Sequence, residues 1–558
     1  MNLITKLEVD GSKWEDIELN YTGENNFASF FSSEGNIHSY PAKAVPNMVN
    51  SLLEKIKDLY GTKKVLDPFV GSGTIALEAK YLGLDFYGSD LNPLSILLSK
   101  TKSLTIHNAN YVIKQLNLFM NNISEETQPI VNIVYFDKID FWFKEENKIQ
   151  LSVIKYKINK FLQERKLNQL ETYATILLTA FSSTIRSSSL TRNGEFKLYR
   201  LSPADIKKFN VNSYEVFKDK LRNLLEMLQI ANKAYKKETI SKIYLSNAKD
   251  LSYMGNQKVD LILTSPPYGD SSSTVAYGQF SKLSLQWMSD LLKRYLGISV
   301  LEDNCDELLL GGRRSYSSVS PDIIEKSHTL KALLSNIDSV IENDNDVLIK
   351  LKNDLTSIMN LSENDTQYLQ FIKDSNEVLY KLIKERVRLD EYRKINNKGE
   401  LTRDEVKDLA IKQSDRYFDE LLLGNDEVRR LRFKELKEKL PYVKQTINRK
   451  ILSLPRRRSA ILHFFYDLYE VVEQTDNVIN KHGIQAWIVG HRTVLGKVTI
   501  DLEGILWEWF ESLNYTKVRS MQRQYSFKRM PHHINSTVTR NEEIKTMMQE
   551  HILVVQKK

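Results

Sequence analysis

Two short stretches hold residue types that could do chemistry. "VLDPFVGSGT" (65–74) is an apolar run ending in an acid, then a glycine-rich turn, then helix-forming residues. Gly71 and Gly73 would let the backbone approach a ligand closely, and the helix start beyond them offers unpaired N–H groups. No Lys-Ser/Thr pair follows the glycines, so the turn is not a phosphate-binding loop. A second apolar run ends at Asp90, 17 residues beyond Gly73, where a carboxylate is placed to accept two ribose hydroxyls. The ligand expected here is a nucleoside without phosphates, and S-adenosyl-L-methionine fits.

The second stretch, "DLILTSPPYG" (260–269), stops an apolar run at a serine, two prolines and a tyrosine. The exocyclic amino group of cytosine or adenine is a poor nucleophile, because its lone pair is delocalised into the ring. Methylating it requires acceptors that draw the amino hydrogens and favour a pyramidal nitrogen. Ser265 Oγ can supply one acceptor and the Pro266 carbonyl another. Consecutive prolines have fixed φ and no backbone N–H, which holds that carbonyl stiffly. Tyr268 can stack on a base that has been flipped out of a duplex.

These residues need a scaffold that brings strand ends together. "KKVLDPF" (63–69), "LDFYGSD" (84–90), "KIYLSNAKDL" (242–251), "KVDLILTSPPY" (258–268) and "IQAWIVGHR" (484–492) read as strands. "GTIALEAKYLG" (73–83), 460–483 and 501–515 read as helices, and "TKVRSMQRQYS" and "EHILVVQKK" as two closing strands. Strand–helix alternation implies a mainly parallel sheet covered on both faces. The expected fold is α/β, a Rossmann-like sheet interrupted by two large insertions, the second mostly helical. The expected division is 1–105 and 241–294 for the cofactor and catalytic parts of the core. Residues 106–240 form the first insertion, 295–455 a helical insertion for target recognition, and 456–558 the last part of the core.

Composition narrows the class. The chain has 558 residues, 41% hydrophobic and 27% charged, as expected of a globular protein. No run of about 18 apolar residues exists to span a membrane, and the N-terminus lacks the apolar stretch of a secretory signal. The single cysteine, Cys305, excludes an internal disulfide and a Cys-based zinc site. The nine histidines, of which only His532 and His533 are neighbours, argue against a His-only metal site, so no metal is expected. Net charge is +8, but residues 429–458 hold twelve Lys/Arg against two Asp/Glu. Clustered positive charge points to a polyanionic partner.

Taken together, "DPFVGSGT", "TSPPY", "HSYPAKAVP" (38–46), "WIVGHRTV" (487–494) and the closing "FKRMPHHIN…EHILVV" resemble the amino-directed DNA methyltransferases of restriction–modification type. The resemblance implies that Tyr40, Pro41, Lys43, Asp67, Pro68, Phe69, Gly71, Gly73, Thr74 and Asp90 contact the cofactor. It also implies that Ser265, Pro266, Pro267 and Tyr268 form the catalytic pocket. The third strand ends "SNAKD", where the family more often has Gly-Asp-Ala, so Asp250 or Asn247 takes that acid's place. Serine before Pro-Pro-Tyr goes more often with N4-cytosine in this family, and aspartate or asparagine with N6-adenine. The expected partner is double-stranded DNA, met by the helical insertion, by Arg186, Arg192, Lys197 and Arg200 of the polar stretch 181–200, and by Arg456, Arg457 and Arg458. A cognate restriction endonuclease or another defence-system subunit is a further expected partner, and the prokaryotic cytoplasm, at the nucleoid, the expected location. Oligomeric state is left open.

Other classes fit less well. RNA guanine-N2 methyltransferases share a Pro-Pro-Tyr tip but usually carry Asn or Asp before it and an N-terminal RNA-binding module. Cytosine carbon-5 chemistry needs a nucleophilic cysteine, and "EDNCDELL" surrounds Cys305 with acids that would raise its pKa. A non-catalytic DNA-binding scaffold would have no need of both motifs intact.

Overall fold

The computed structural model describes residues 14, 17, 19, 38–41, 44–123, 132–192, 197–236, 238–269, 276–301, 305–312, 322–362, 377–398, 401–524 and 549–558. Lys43 and the segment 527–535, both named above, lie outside them.

Five parallel strands start the main sheet: β1 (Lys64–Asp67), β2 (Asp85–Asp90), β3 (Ser241–Leu245), β4 (Val259–Thr264) and β5 (Ile479–Gly490). A small hairpin, β6 (Arg492–Val494) and β7 (Val498–Ile500), follows. β8 (Tyr515–Gln524) and β9 (Gln549–Lys557) close the main sheet, and the order is β3-β2-β1-β4-β5-β9-β8. β9 returns antiparallel to β5 and separates it from β8. The strand runs are apolar in both alternating positions because both faces are covered. Val65 and Leu261 face one apolar cluster, while Leu66 and Ile262 face the other. The chain leaves β1 toward β2 and β3, then returns to the other side through β4 and β5. The crevice outside the carboxyl ends of β1 and β4 is thus the switch point where such sheets bind ligands. The glycine turn follows β1, and the proline tip follows β4.

Helices α1 (Pro46–Tyr60), α2 (Thr74–Tyr81) and α3 (Pro93–Lys102) cover the first face. The first insertion joins them. Its helices α4 (Ala109–Asn121), α5 (Glu145–Gln163), α6 (Leu167–Ser187) and α7 (Ser213–Ala234), and then α8 (Tyr277–Leu296), bury their apolar sides in the same cluster. The second insertion builds α9 (His328–Asn360), α10 (Glu377–Lys398), α11 (Arg403–Leu423) and the start of α12 (Asp426–Val478). These pack around Leu351, Leu355, Ile383, Val387, Phe418, Leu421 and Leu436, a core of their own.

Helix α12 runs across the expected boundary at 455/456. It runs 53 residues from this helical arm into β5, with Pro441 and Pro455 inside it. Proline removes one helical hydrogen bond and crowds the preceding turn. Here Leu436, Leu440, Val443, Ile447, Leu454, Ile461 and Leu468 keep one buried stripe at three-, four- and seven-residue steps. Packing along that stripe holds the helix through both prolines. The second face of the sheet is covered by the far end of α12 and by α13 (Leu502–Ser512). No helix among the described residues is long and apolar enough to cross a membrane.

Candidate active site

The turn after β1 is tied to both neighbouring strands. Asp67 is buried, and its Oδ1 accepts the Phe69 N–H at 2.9 Å and the Thr264 hydroxyl at 2.6 Å. One carboxylate thus links the end of β1 to the residue before Ser265. Burial pushes its pKa up to about 7, against the pull of those two hydrogen bonds. Asp90, at the end of β2, accepts the Gly71 N–H at 3.0 Å and the Asn92 N–H at 2.8 Å. Burial raises its pKa as well.

The two glycines do different jobs. Gly71 has φ +50°, and a Cβ there would point toward the Phe69 carbonyl at 3.7 Å and the Tyr40 ring at 3.9 Å. Its bareness keeps a cradle open. Gly73 has φ +80°, and a Cβ there would lie 2.6 Å from Ser99 Cα. Its bareness lets α2 pack on α3, so it shapes the turn from behind. Thr74 is likewise buried, 3.5 Å from the Ser72 hydroxyl.

A cavity of about 70 Å³ lies at the switch point, lined by Tyr40, Pro68, Phe69, Gly71, Asp90, Leu91, Asn247, Ala248, Ser265, Pro267, Tyr277, Leu309 and Leu310. It joins the glycine turn to the proline tip. Tyr40 is held there by ring contacts with Tyr277 and Phe280, and its hydroxyl accepts from Asn92 Nδ2 at 3.4 Å. Pro41, beside it, is buried. The 530 Å³ cavity between α10, α11 and α12 holds none of the motif residues.

Behind the tip, the Tyr268 hydroxyl lies 3.5 Å from Ser265 Oγ and donates to Glu550 of β9 at 3.0 Å. Arg523 of β8 holds the other Glu550 oxygen at 2.7 Å. The antiparallel hairpin therefore anchors the tyrosine. Pro266, between cavity and tyrosine, is buried.

Several expected positions differ. Asp250 is exposed and caps a short turn by accepting the Ser252 N–H at 3.0 Å, while Asn247 lines the cavity. The third strand ends at Leu245, five residues short of Asp250. Arg186 is buried on α6, its guanidinium over the Phe280 ring at 4.0 Å, so it packs the core rather than meeting phosphates. Ser188 and Ser189 after it are buried too, and Ser189 bonds the Arg186 carbonyl and Thr191. Arg192 and Arg200 lie over Tyr199 and Phe141, at 5.6 and 4.3 Å, and Lys197 is half-buried. Of the three arginines on α12, Arg456 is exposed and Arg457 half-exposed, but Arg458 forks onto Asp338. Other cations of that run are also bonded within the arm: Arg432 to Glu420 and Glu435, Lys439 to Asp390.

Asn92 went unread in the sequence. Its backbone N–H holds Asp90, its side chain reaches Tyr40 and Ser281, and it caps α3. The signal was "NP", a capping residue before a proline at the first helical position. Glu550 had no local signal, because its partner stands 282 residues away.

A doubly wound sheet with a glycine turn after β1 and a Ser-Pro-Pro-Tyr tip after β4 is the frame of a Rossmann-like methyltransferase. Residues 47–296 match the family model described as D12 class N6 adenine-specific DNA methyltransferase. The chain is 37% identical to the Type II methyltransferase M.MvaI of Kocuria varians over 318 residues, 54% of this chain and 67% of that protein. It is 20% identical to the Type II methyltransferase M.BsoBI of Geobacillus stearothermophilus over 293 residues, 48% of this chain and 56% of that one. The solved rRNA methyltransferase aviRa of Streptomyces viridochromogenes aligns at 14% identity and TM-score 0.20, over 45% of this chain and 71% of that one. This chain belongs to the amino-directed DNA methyltransferases of restriction–modification type, enzymes that use S-adenosylmethionine. The family model's description names adenine, so the comparisons do not support the expected preference for cytosine.

Proposed function

We propose that the switch-point cavity holds S-adenosylmethionine and that the proline tip presents the exocyclic amino group of a flipped DNA base to it. The observation that carries this reading is the single cavity shared by Asp90, Tyr40 and Phe69 with Ser265 and Pro267. The donor set suits the cofactor: a carboxylate for the ribose diol, an amide at Asn247, an aromatic ring at Phe69, and the bare Gly71. The cavity is smaller than the roughly 300 Å³ a nucleoside-sized ligand needs. Leu309 and Leu310, which line it from the second insertion, are the residues expected to give way.

Bound S-adenosylmethionine supplies an electrophilic methyl group on a sulfonium. The chain's residues prepare the acceptor. Ser265 Oγ and the Pro266 carbonyl accept the two amino hydrogens, which localises the nitrogen lone pair. Tyr268 stacks on the base, and its bond to Glu550 fixes the ring. The exposed Arg456 and the half-exposed Arg457 are the parts of the basic run left to meet DNA phosphates.

Asp90→Ala is expected to weaken S-adenosylmethionine by about 1–3 kcal/mol, the cost of leaving hydrogen-bonded groups without their partner. Calorimetry checks it, with thermal melting to show that the chain still folds. Unchanged affinity removes Asp90 from the ribose role.

The target base has two readings. Ser265 favours N4-cytosine, because serine before Pro-Pro-Tyr goes more often with cytosine among amino-directed methyltransferases. The family model's description favours N6-adenine. We hold to cytosine on Ser265. Nucleoside mass spectrometry of duplex DNA methylated in vitro decides: N4-methylcytosine is expected, and N6-methyladenine as the sole product overturns the base while leaving the amino-group chemistry. Methylation of RNA but not DNA overturns the substrate.

A further inference from the structure

We infer that His491 and His551 form a stacked pair that admits one proton and refuses a second, and that the pair positions the catalytic tip by pinning β9 to the end of β5. The positioning rests on the reading of Tyr268 as the face on which the target base stacks. The two rings lie face to face, their centroids 3.7 Å apart and their planes 6° apart. His551 is buried and His491 half-buried.

The last rung of the ladder between β5 and β9 pairs Gly490 with Glu550, and the rung before it pairs Val489 with His551. Side chains alternate along a strand, so His551 points to the face covered by α13 and Glu550 to the other. On that other face Glu550 accepts the Tyr268 hydroxyl at 3.0 Å and holds Arg523 at 2.7 Å. His491 follows the last residue of β5, and its ring reaches back over the end of the ladder to His551. Arg492, next in the chain, lies over Gly269 at the tip. Parting the rings therefore loosens the rung that anchors Tyr268.

Charge limits what the pair can hold. Each ring faces its own carboxylate. Asp501, which caps α13 through the Gly504 N–H, lies 3.1 Å from His491 Nε2. Glu503 Oε2 accepts from His551 Nδ1 at 3.0 Å, and its other oxygen accepts from Ser520 of β8. Lys517, also of β8, stands 3.6 Å from Glu503. With both rings neutral, Asp501, Glu503 and Lys517 sum to one negative charge, which a single added proton balances. A second proton would set two imidazolium rings face to face at 3.7 Å, partly out of water, where their repulsion is poorly screened.

Burial, and after it the charge of His491, hold the His551 imidazole below its ordinary pKa, against the pull of Glu503. The unfolded chain therefore takes up this proton more readily than the folded one. The contribution to stability is present above the ordinary imidazole value and is lost as pH falls through it. The clamp behind Tyr268 is thus firm at neutral and alkaline pH and works loose under acid.

Two measurements on the full chain test the pair. In the wild type labelled with ¹³C-histidine, NMR should show His491 and His551 taking their protons in two separated steps. In His491→Gln, whose amide cannot charge, His551 should take its proton at a higher pH than in the wild type. One common step in the wild type, or a His551 titration unchanged in the variant, overturns the shared proton. Single-turnover methylation of duplex DNA, with cofactor saturating, is then followed from alkaline to acid pH. The wild-type rate should fall toward acid at least about threefold further than that of His491→Gln or His551→Gln, each shown by circular dichroism to be folded. Asp67, pushed up to about 7, titrates alike in all three chains and cancels from the comparison. Variants slowed by one factor at every pH would show that the rings only pack, and would overturn the positioning role. Failure of the wild type to methylate DNA at any pH would instead overturn the proposed function, while the histidine titration still decides whether the pair refuses a second proton.

Discussion

Replacing Ser265 and Tyr268 together with alanine is expected to slow methyl transfer by about 30- to 10⁴-fold in single-turnover assays with labelled cofactor. Removing a hydrogen-bond acceptor from a desolvated polar partner costs about 1–3 kcal/mol. Losing an aromatic stacking face costs about the same again per base. Together these make about 2–6 kcal/mol on the barrier, at 1.36 kcal/mol for each tenfold. Cofactor affinity should change little by comparison, because the ribose and adenine contacts are assigned elsewhere, to Asp90, Asn247 and Phe69. The geometry sharpens the expectation. Tyr268 is anchored to Glu550 through its hydroxyl, so its ring is set before any base arrives. Methylation at the wild-type rate by the double variant would sink the mechanism while leaving the fold and the family intact.

Gly73→Ala should destabilise the fold by about 2–5 kcal/mol, and far more than Gly71→Ala. Two costs add at position 73. A side chain at φ +80° sits in the left-handed region, at about 1–2 kcal/mol. The new Cβ would also stand 2.6 Å from Ser99 Cα, a backbone atom that cannot rotate aside, and overpacking of this kind costs about 1–3 kcal/mol. At position 71 the φ is also positive, but the nearest atom to a Cβ is 3.7 Å away, so only the backbone cost remains. Urea unfolding midpoints compare the two. Equal effects would mean that α2 and α3 can part cheaply. The pair also separates two uses of a glycine-rich turn: Gly71→Ala should weaken S-adenosylmethionine out of proportion to its effect on stability, whereas Gly73→Ala should do the reverse.

Much of the core was legible in the sequence, because its signals are local. A strand is recognised from a run of apolar residues bounded by turn formers, and a glycine-rich turn from residues that tolerate positive φ. "VLDPFVGSGT" and "TSPPY" each state their conformation within ten residues. So the five parallel strands, the cradle, the tip and the family were all readable from the chain. The helical character of 295–455 was readable for the same reason, as its apolar residues recur at helical steps.

What only the tertiary structure decided depends on partners distant in the chain. The stretch 181–200 looked like a polar surface, but helix α6 carries Arg186 under Phe280 of α8, 94 residues away. The core was expected to resume at residue 456, yet one helix, α12, runs through that point on a buried stripe packed against α9. The basic run looked open to DNA, yet Asp338 and Glu420 take Arg458 and Arg432. Asp250 or Asn247 was to take the place of the third acid, and the choice falls to Asn247, because β3 ends at Leu245 and Asn247 lines the cavity while Asp250 is exposed. His491 and His551 are 60 residues apart and meet only because β9 enters the sheet beside β5. The reason is the same in each case. Backbone conformation is set by sterics between neighbouring residues, whereas the partner of a charge or an imidazole is chosen by which elements the buried apolar surface brings together.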